Sequence, residues 1–294
     1  MVNPKGSTLQ LNSQILNMIS PRACVSVIIP CYCCSETVDR ALASVAAQTL
    51  LPKEVILIED ASPDNGLTLK ALNDQVLKYA DCFEIKIIVS NENVGAASAR
   101  NLGWFASSQP YIAFLDADDA WHPEKIKTQF SWMVEHPEFG LSGHVHSILN
   151  PIASYSWPSL SENEKALRLS KVKSLFSNPL ATRTVMLKRD LPFKFKQGKR
   201  YIEDYLLWLE IILADIPAAF INKPLAASYK DDYGSSGLSA NLWQMEKGEL
   251  DTYFQIYKKN KIGLLLMALL SMWSLLKYVK RVLVVVIRTW LKKI

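Results

Sequence analysis

Four short apolar, β-branched runs recur along the first half of the chain at nearly even spacing, at residues 25–29, 55–58, 85–89 and 111–115. Each is strand-length and carries apolar side chains on both faces, as a strand covered on both faces should. Helix-length segments fill the gaps at 36–48, 67–79 and 96–107. Such alternation closes right-handed crossovers, so the spacing predicts an α/β fold with a doubly wound, mostly parallel sheet flanked by helices. Ligands of these sheets bind beyond the carboxyl ends of the strands. Here those ends read Pro30-Cys31-Tyr32, Glu59-Asp60, Asn91-Glu92-Asn93 and Asp116-Ala117-Asp118-Asp119. That concentration of polar and acidic groups exceeds what plain connecting turns need.

The last of these ends is the most charged. Three carboxylates crowded at the edge of a core repel one another, and a divalent cation removes that cost. Hard oxygen ligands suit Mg²⁺ or Mn²⁺, and Mg²⁺ typically takes one or two carboxylates and completes its shell with phosphate oxygens and water. Taken alone, the cluster fits a metal-diphosphate site and a solvated acidic turn starting a helix at Asp118 or Asp119 equally well.

With 294 residues, 49% hydrophobic and 21% charged, the chain reads as one large domain or a domain with an appendage. The net charge of +5 is local to the carboxyl end, where residues 258–294 hold nine Lys or Arg and no acid. The main body is therefore slightly acidic, which argues against nucleic-acid binding. Cys24, Cys31, Cys33, Cys34 and Cys82 are odd in number and clustered, a poor disulfide framework that points to a reducing compartment. They lack the second ligand pair that zinc requires. The first twenty residues have no apolar core of signal-peptide length, which argues against export.

After Trp121-His122 the pattern predicts a helix to about residue 136 with Pro123 at its first turn, a strand over 140–149, a Pro/Ser-rich loop over 151–160 and a strand over 182–187. A helix over 202–213 and a Gly/Ser-rich loop over 230–240 follow. His144 and His146 share a strand face and are read as structural, with a role at the fringe of a site left open.

Five ordered motifs stand together: the strand ending Ile29-Pro30-Cys31-Tyr32, the segment Glu59-Asp60-Ala61-Ser62-Pro63-Asp64, the helix start Asn93-Val94-Gly95-Ala96, the cluster Asp116-Ala117-Asp118-Asp119, and Glu203-Asp204-Tyr205-Leu206-Leu207-Trp208. In order and spacing, from about Ala23 to Ser239, the chain resembles the family-2 glycosyltransferases with the GT-A fold, among them bacterial enzymes of O-antigen and capsule synthesis. It departs from that pattern at Cys33, where the family usually has Asn after the Tyr.

The resemblance implies roles. Pro30 and Tyr32 would border the nucleotide base, Asp60 would bond the base or ribose, and Glu36, Arg100, Asp116 and Ala117 would complete the donor site, with Arg100 facing the diphosphate. Asp118 would be the metal ligand for Mg²⁺ or Mn²⁺, and Asp204 the catalytic base. Glu203 and Trp121 would lie on the acceptor side or in supporting positions, Trp121 bordering the donor sugar.

The residue chemistry fits these roles: a tyrosine ring offers a stacking face, an edge carboxylate accepts from hydroxyls, and a first-turn aspartate is held ionised by the helix dipole. Each residue also has a plainer explanation, as a turn acid, a helix-start acid or a core tryptophan.

At the carboxyl end, residues 262–276 are apolar, and bases follow before a second apolar run at 282–287. A spanning helix needs about 20 apolar residues. The pattern favours an amphipathic helix lying on an anionic cytoplasmic membrane face over one packed on the domain or on another subunit.

The expected organisation is an N-terminal extension (1–22), a GT-A domain (23–240) and a basic, apolar helical tail (241–294). Within the domain, 23–120 would bind the nucleotide-sugar and 121–240 the acceptor. The resemblance implies an inverting glycosyltransferase at the inner face of the cell membrane, using a nucleotide-sugar, with a UDP-sugar favoured, and a lipid-linked or other glycan acceptor. A non-catalytic nucleotide-sugar-binding partner of an assembly complex is the alternative; such a protein would be expected to have lost the acidic cluster or Asp204. A sugar-nucleotide pyrophosphorylase is disfavoured because no Gly-rich loop follows the first strand.

Overall fold

The structure is a computed structural model that describes residues 22–149, 157, 160, 166–229 and 240–291. Its first half runs β1 (Ala23–Cys31), α1 (Val38–Ala46), β2 (Pro52–Glu59), α2 (Leu67–Lys78), β3 (Glu84–Val89), α3 (Gly95–Ala106), β4 (Tyr111–Phe114), β5 (Ala120–Trp121) and α4 (Lys125–Glu135). Then come β6 (Leu141–Ile148), β7 (Ala166–Arg168), α5 (Lys171–Phe176), a 3₁₀ turn (Thr182–Thr184), β8 (Met186–Lys188), α6 (Glu203–Leu213), β9 (Ala218–Ser228), α7 (Leu242–Lys258) and α8 (Leu264–Leu291).

The strands form one sheet in the order β3-β2-β1-β4-β8-β6-β9-β5, with β7 added beside β9. Pairs β1–β2, β2–β3 and β1–β4 are parallel, while β8 runs antiparallel to both β4 and β6. The chain winds outward from β1 to β3, then returns to place β4 on the other side of β1. The strand order therefore reverses between β1 and β4, and a crevice opens at their carboxyl ends.

Side-chain alternation divides β1 between two cores. Val25, Val27 and Ile29 pack with Leu42 of α1, Leu72 of α2 and Met133 of α4 on one face. Ile28 faces the other core, formed with Trp104 of α3 and Leu207, Trp208 and Ile211 of α6. The doubly wound, helix-flanked sheet is the architecture anticipated from the sequence.

A third core lies beyond α6, whose Tyr205, Leu206 and Leu209 pack with Leu175, Tyr253, Ile256 and Leu270. The carboxyl-terminal helices are thus built onto α6. Glu246 and Glu249 on α7 bond Arg281 on α8, and Glu249 also pairs with Lys277. The opposite side of α8 presents Leu264, Leu265, Leu269, Met272, Leu276, Val279 and Leu283 to the exterior. Of the arrangements weighed from the sequence, packing on the domain is present on one side of the helix, and the other side is an open apolar face. Among the described residues, no helix is long and apolar enough to cross a membrane.

Three local expectations change. Residues 182–184 form a turn in place of strand, closed by Thr184 N and Oγ1 donating to Ala181 O. The helix after Pro123 starts at Lys125, and Pro123 lies before it. Strand β9 was not anticipated: its segment holds Pro224, tolerated where the pairing with β6 shifts register. The extension 1–21, most of the 151–160 loop and residues 230–239 lie outside the described residues.

Candidate active site

The carboxyl end of β1 delivers Pro30 and Tyr32 to the crevice. Tyr32 is 50% exposed, leaving a ring face open, and Glu36 is exposed nearby. Between them Cys33 adopts φ +47°, a left-handed conformation in which Asn is far better tolerated than most residues. The turn that departs from the family pattern thus keeps the backbone shape an Asn would favour, fixed by donation from Cys33 N to Ser62 Oγ at 3.0 Å.

At the end of β2, Asp60 is only 3% exposed. Its Oδ1 accepts from Val94 N at 2.8 Å, and its Oδ2 from Gly95 N at 2.9 Å and Asn93 Nδ2 at 3.1 Å. The carboxylate therefore satisfies amides at the amino end of α3. Burial raises its pKa, and those amide bonds act in opposition.

The loop after β4 folds into a turn through Asp119 N and Asp116 O at 3.1 Å. Ala117 is buried, and Asp118 is half-buried, its carbonyl accepting from Arg40 Nη2 at 2.6 Å. Asp119 is buried and pairs with Arg183 at 3.2 Å. Burial pushes Asp119 up to about 7; Asp116 and Asp118 add to the rise while Arg183 opposes it. Among the described residues no three His, Cys, Asp or Glu side chains gather as metal ligands. A cation needing one or two carboxylates plus phosphate oxygens still fits the Asp116–Asp118 turn, which brings hard donors and net negative charge.

Arg100 departs from its expected role. Only 5% exposed, it donates from Nη2 to Asp116 at 2.7 Å and from Nη1 to Glu203 at 2.8 Å. Its guanidinium joins two carboxylates instead of facing outward to a diphosphate. The carboxylates hold its pKa raised despite burial. Trp121 also departs: it is 1% exposed, donates Nε1–H to Arg183 O and carries Lys125 Nζ 3.8 Å above its ring. No ring face is offered to a sugar.

Ile202, at φ +59°, turns the chain into α6 and sets Glu203 and Asp204 in its first turn. Adjacent helical residues diverge by about 100°. Glu203 turns inward to Arg100, whereas Asp204 is only partly enclosed, its Oδ1 accepting from Tyr205 N and its Oδ2 from Thr182 Oγ1 at 3.1 Å. Burial raises both acids, Glu203 to about 7, with Arg100 opposing the rise.

Of the residues expected from the sequence, Arg100, Asp116, Glu203 and Asp204 line one cleft of 820 Å³, while Pro30, Tyr32, Glu36, Asp60, Ala117, Asp118 and Trp121 lie outside its lining. His144 and His146 line its wall, and burial holds His144 neutral by lowering its pKa.

Residues 26–194 match the family model for glycosyl transferase family 2. The chain belongs to this family. It is a glycosyltransferase of the GT-A fold. Among its relatives is the Escherichia coli UDP-Glc:alpha-D-GlcNAc-diphosphoundecaprenol beta-1,3-glucosyltransferase WfgD, 31% identical over 77% of this chain and 84% of the relative. The Bacillus subtilis putative teichuronic acid biosynthesis glycosyltransferase TuaG is 27% identical over 79% and 88%. In fold, the glycosyltransferase is similar to Staphylococcus aureus TarS 1-349 in complex with UDP-GlcNAc, with a TM-score of 0.60, 20% identity, and coverage of 79% of this chain and 66% of that one. It is likewise similar to the Pyrobaculum calidifontis mannosyltransferase PcManGT in complex with GDP-Man and Mn²⁺, with a TM-score of 0.61, 18% identity and coverage of 86% and 72%.

The glycosyltransferase's cleft also holds residues that sequence patterns did not single out. Asn178 and Thr182 approach Asp204 from the segment before β8, and Arg200 reaches Asn93 at 3.0 Å. Lys277, Lys280 and Arg281 line the cleft from α8, far along the chain. Their local sequence marks them only as bases of an apolar helix.

Proposed function

We propose that this glycosyltransferase transfers a sugar, with inversion, from a UDP-sugar to a lipid-linked glycan acceptor in cell-surface polysaccharide synthesis. The observation that carries the reading is the shared cleft: Asp116 of the acidic turn and Asp204 of α6 line one cavity, joined through Arg100 and Glu203. UDP and a lipid-linked acceptor are supported by what the WfgD relative is named for. The donor half is assigned to 23–120, the acceptor half to 121–240, and the tail to the cytoplasmic face of the membrane, where the open apolar side of α8 would lie.

In this reading Asp204 takes the proton of the acceptor hydroxyl while that oxygen attacks the anomeric carbon. The bond to the diphosphate breaks with its electron pair, leaving UDP. Burial raises Asp204 toward the range where a carboxylate works as a base, and Thr182 orients it. Tyr32 borders the base with its open ring, and Pro30, Glu36 and Ala117 lie around the donor. Asp60 acts by holding the amino end of α3, while Arg100 positions Asp116. Asp118, with Asp116 beside it, would hold Mg²⁺ or Mn²⁺, which when bound neutralises the leaving diphosphate.

The test is transfer from UDP-sugars with and without chelator, alongside Asp204→Asn. Chelation should abolish transfer. Asp204→Asn should lower turnover by about 10²–10⁴-fold with UDP affinity unchanged. Near-normal turnover in that variant would remove Asp204 as the base; donor binding without transfer by the wild type would favour the non-catalytic alternative.

A further inference from the structure

The catalytic cleft does not end within the sheet domain. Its far wall is α8, through Lys277, Lys280, Arg281 and Val284. Two of the three bases are matched by acids, since Lys277 and Arg281 pair with Glu246 and Glu249 on α7. Those pairs clamp the helix in place. Lys280 is exposed and, among the described residues, pairs with no acid. Among the described residues of α8 that line the cleft, Lys280 is therefore the one cation without an acid partner, and it sits on a fixed helix.

The position of that cation on α8 gives it meaning. Successive helical residues turn by about 100°, so Leu276 and Leu283 lie within roughly 60° of Lys280 on one side, and Val284 lies within about 40° on the other. Leu276 and Leu283 belong to the open apolar face, whereas Val284 lines the cleft. Lys280 stands at the seam between the two environments. A molecule reaching from the apolar face to Asp204 would pass its ammonium group. The ligand that matches has three parts in order: an apolar chain, an anionic group, and a sugar.

We propose that Lys280 binds the diphosphate of a prenyl-linked acceptor, with the prenyl chain along the apolar face of α8 and the acceptor sugar in the cleft toward Asp204. This rests on the lipid-linked acceptor of the proposed function and assigns the place where that lipid is recognised. A lysine suits the task, because it is a compact point charge for phosphate on a flexible apolar stem that can lie along the lipid. Membrane seating and substrate recognition then share one helix.

The test uses the full chain in neutral detergent micelles saturated with UDP, so that the donor diphosphate position is filled. Farnesyl diphosphate, farnesol and inorganic pyrophosphate are titrated in turn. The wild type should bind farnesyl diphosphate about tenfold or more tightly than farnesol. Lys280→Glu should abolish that preference, and Lys280→Arg should keep it. Farnesol binding, UDP affinity and melting temperature should be unchanged in both, which excludes misfolding as the cause.

A preference retained in Lys280→Glu would overturn the proposal. So would pyrophosphate competing as well as farnesyl diphosphate, because the chain would then play no part. Loss of binding to phosphatidylglycerol vesicles in Lys280→Glu with the farnesyl diphosphate preference intact would assign the lysine to bulk headgroups and also overturn it. Transfer by a wild type that shows no preference sinks this site alone; preference without transfer sinks the proposed function alone.

Discussion

Arg100 donates to Asp116 with one nitrogen and to Glu203 with the other, so the two acids share one buried cation. Glu203 bears the larger consequence, because burial pushes it up to about 7 from the ordinary glutamate value of 4.5 while Arg100 pulls it down. Folding then takes up a proton between those values. The stability associated with this group is fully present below about pH 4.5 and is lost as pH rises through about 7. Glu203→Gln removes the titration. Its urea-unfolding free energy, relative to wild type, should therefore rise between about pH 4.5 and 8, by at most roughly 3 kcal/mol. Parallel pH profiles for the two proteins would show that Arg100 fully offsets the burial. The carboxylates themselves were legible in the sequence, because acids after apolar strands are conspicuous. The partners of Arg100 and the burial of Trp121 were not, since a helical Arg and a Trp just past an acidic turn have the same local sequence whether they face solvent or a core.

Helix α3 lies close against the sheet at Gly103. A Cβ there would come within 2.6 Å of Ile28 Cγ2 and 2.8 Å of Ile58 Cδ1. Gly103→Ala should thus destabilise the protein by about 1–3 kcal/mol in thermal or urea unfolding, despite alanine's better helix propensity. An unchanged or raised midpoint would show that α3 moves off the sheet at little cost. Element types were readable for the first half because each strand and helix there carries its own period and length. They were less readable where local chemistry competes with propensity. Thr182, Thr184 and Val185 favour a strand by composition, yet the Thr184 hydroxyl and amide both bond Ala181 O and close a turn. That turn sets Thr182 against Asp204, so the misread element is the one that orients the proposed base.

Across the whole molecule, α8 belongs to the domain on one side and is open on the other. Replacing Leu265, Leu269 and Met272 with Gln should reduce binding to anionic vesicles by about 10²-fold or more, since each buried apolar side chain contributes roughly 1.5–3 kcal/mol. Cosedimentation measures the loss, and hydrolysis of the donor in solution should be unchanged. Undiminished vesicle binding would transfer the anchor elsewhere. Deleting the chain after Asn260 is a different change: it removes Leu270 from the third core and strips Lys277 and Arg281 from Glu246 and Glu249. That truncation should lower the melting temperature by several degrees, about 2–4 °C for each kcal/mol lost.

The sequence alone determined the alternation of strands and helices, the placement of the acidic groups at strand ends, and the amphipathic basic tail. Each of these is written in neighbouring residues, through side-chain period, turn chemistry and charge spacing. Tertiary structure alone decided which acids share Arg100, which of Glu203 and Asp204 is taken up in that pairing, and that α8 closes the cleft's far wall. Those outcomes depend on which distant surfaces meet when the cores form. Burial and ion pairing are set by that meeting, and a residue's near neighbours in the chain carry no record of it.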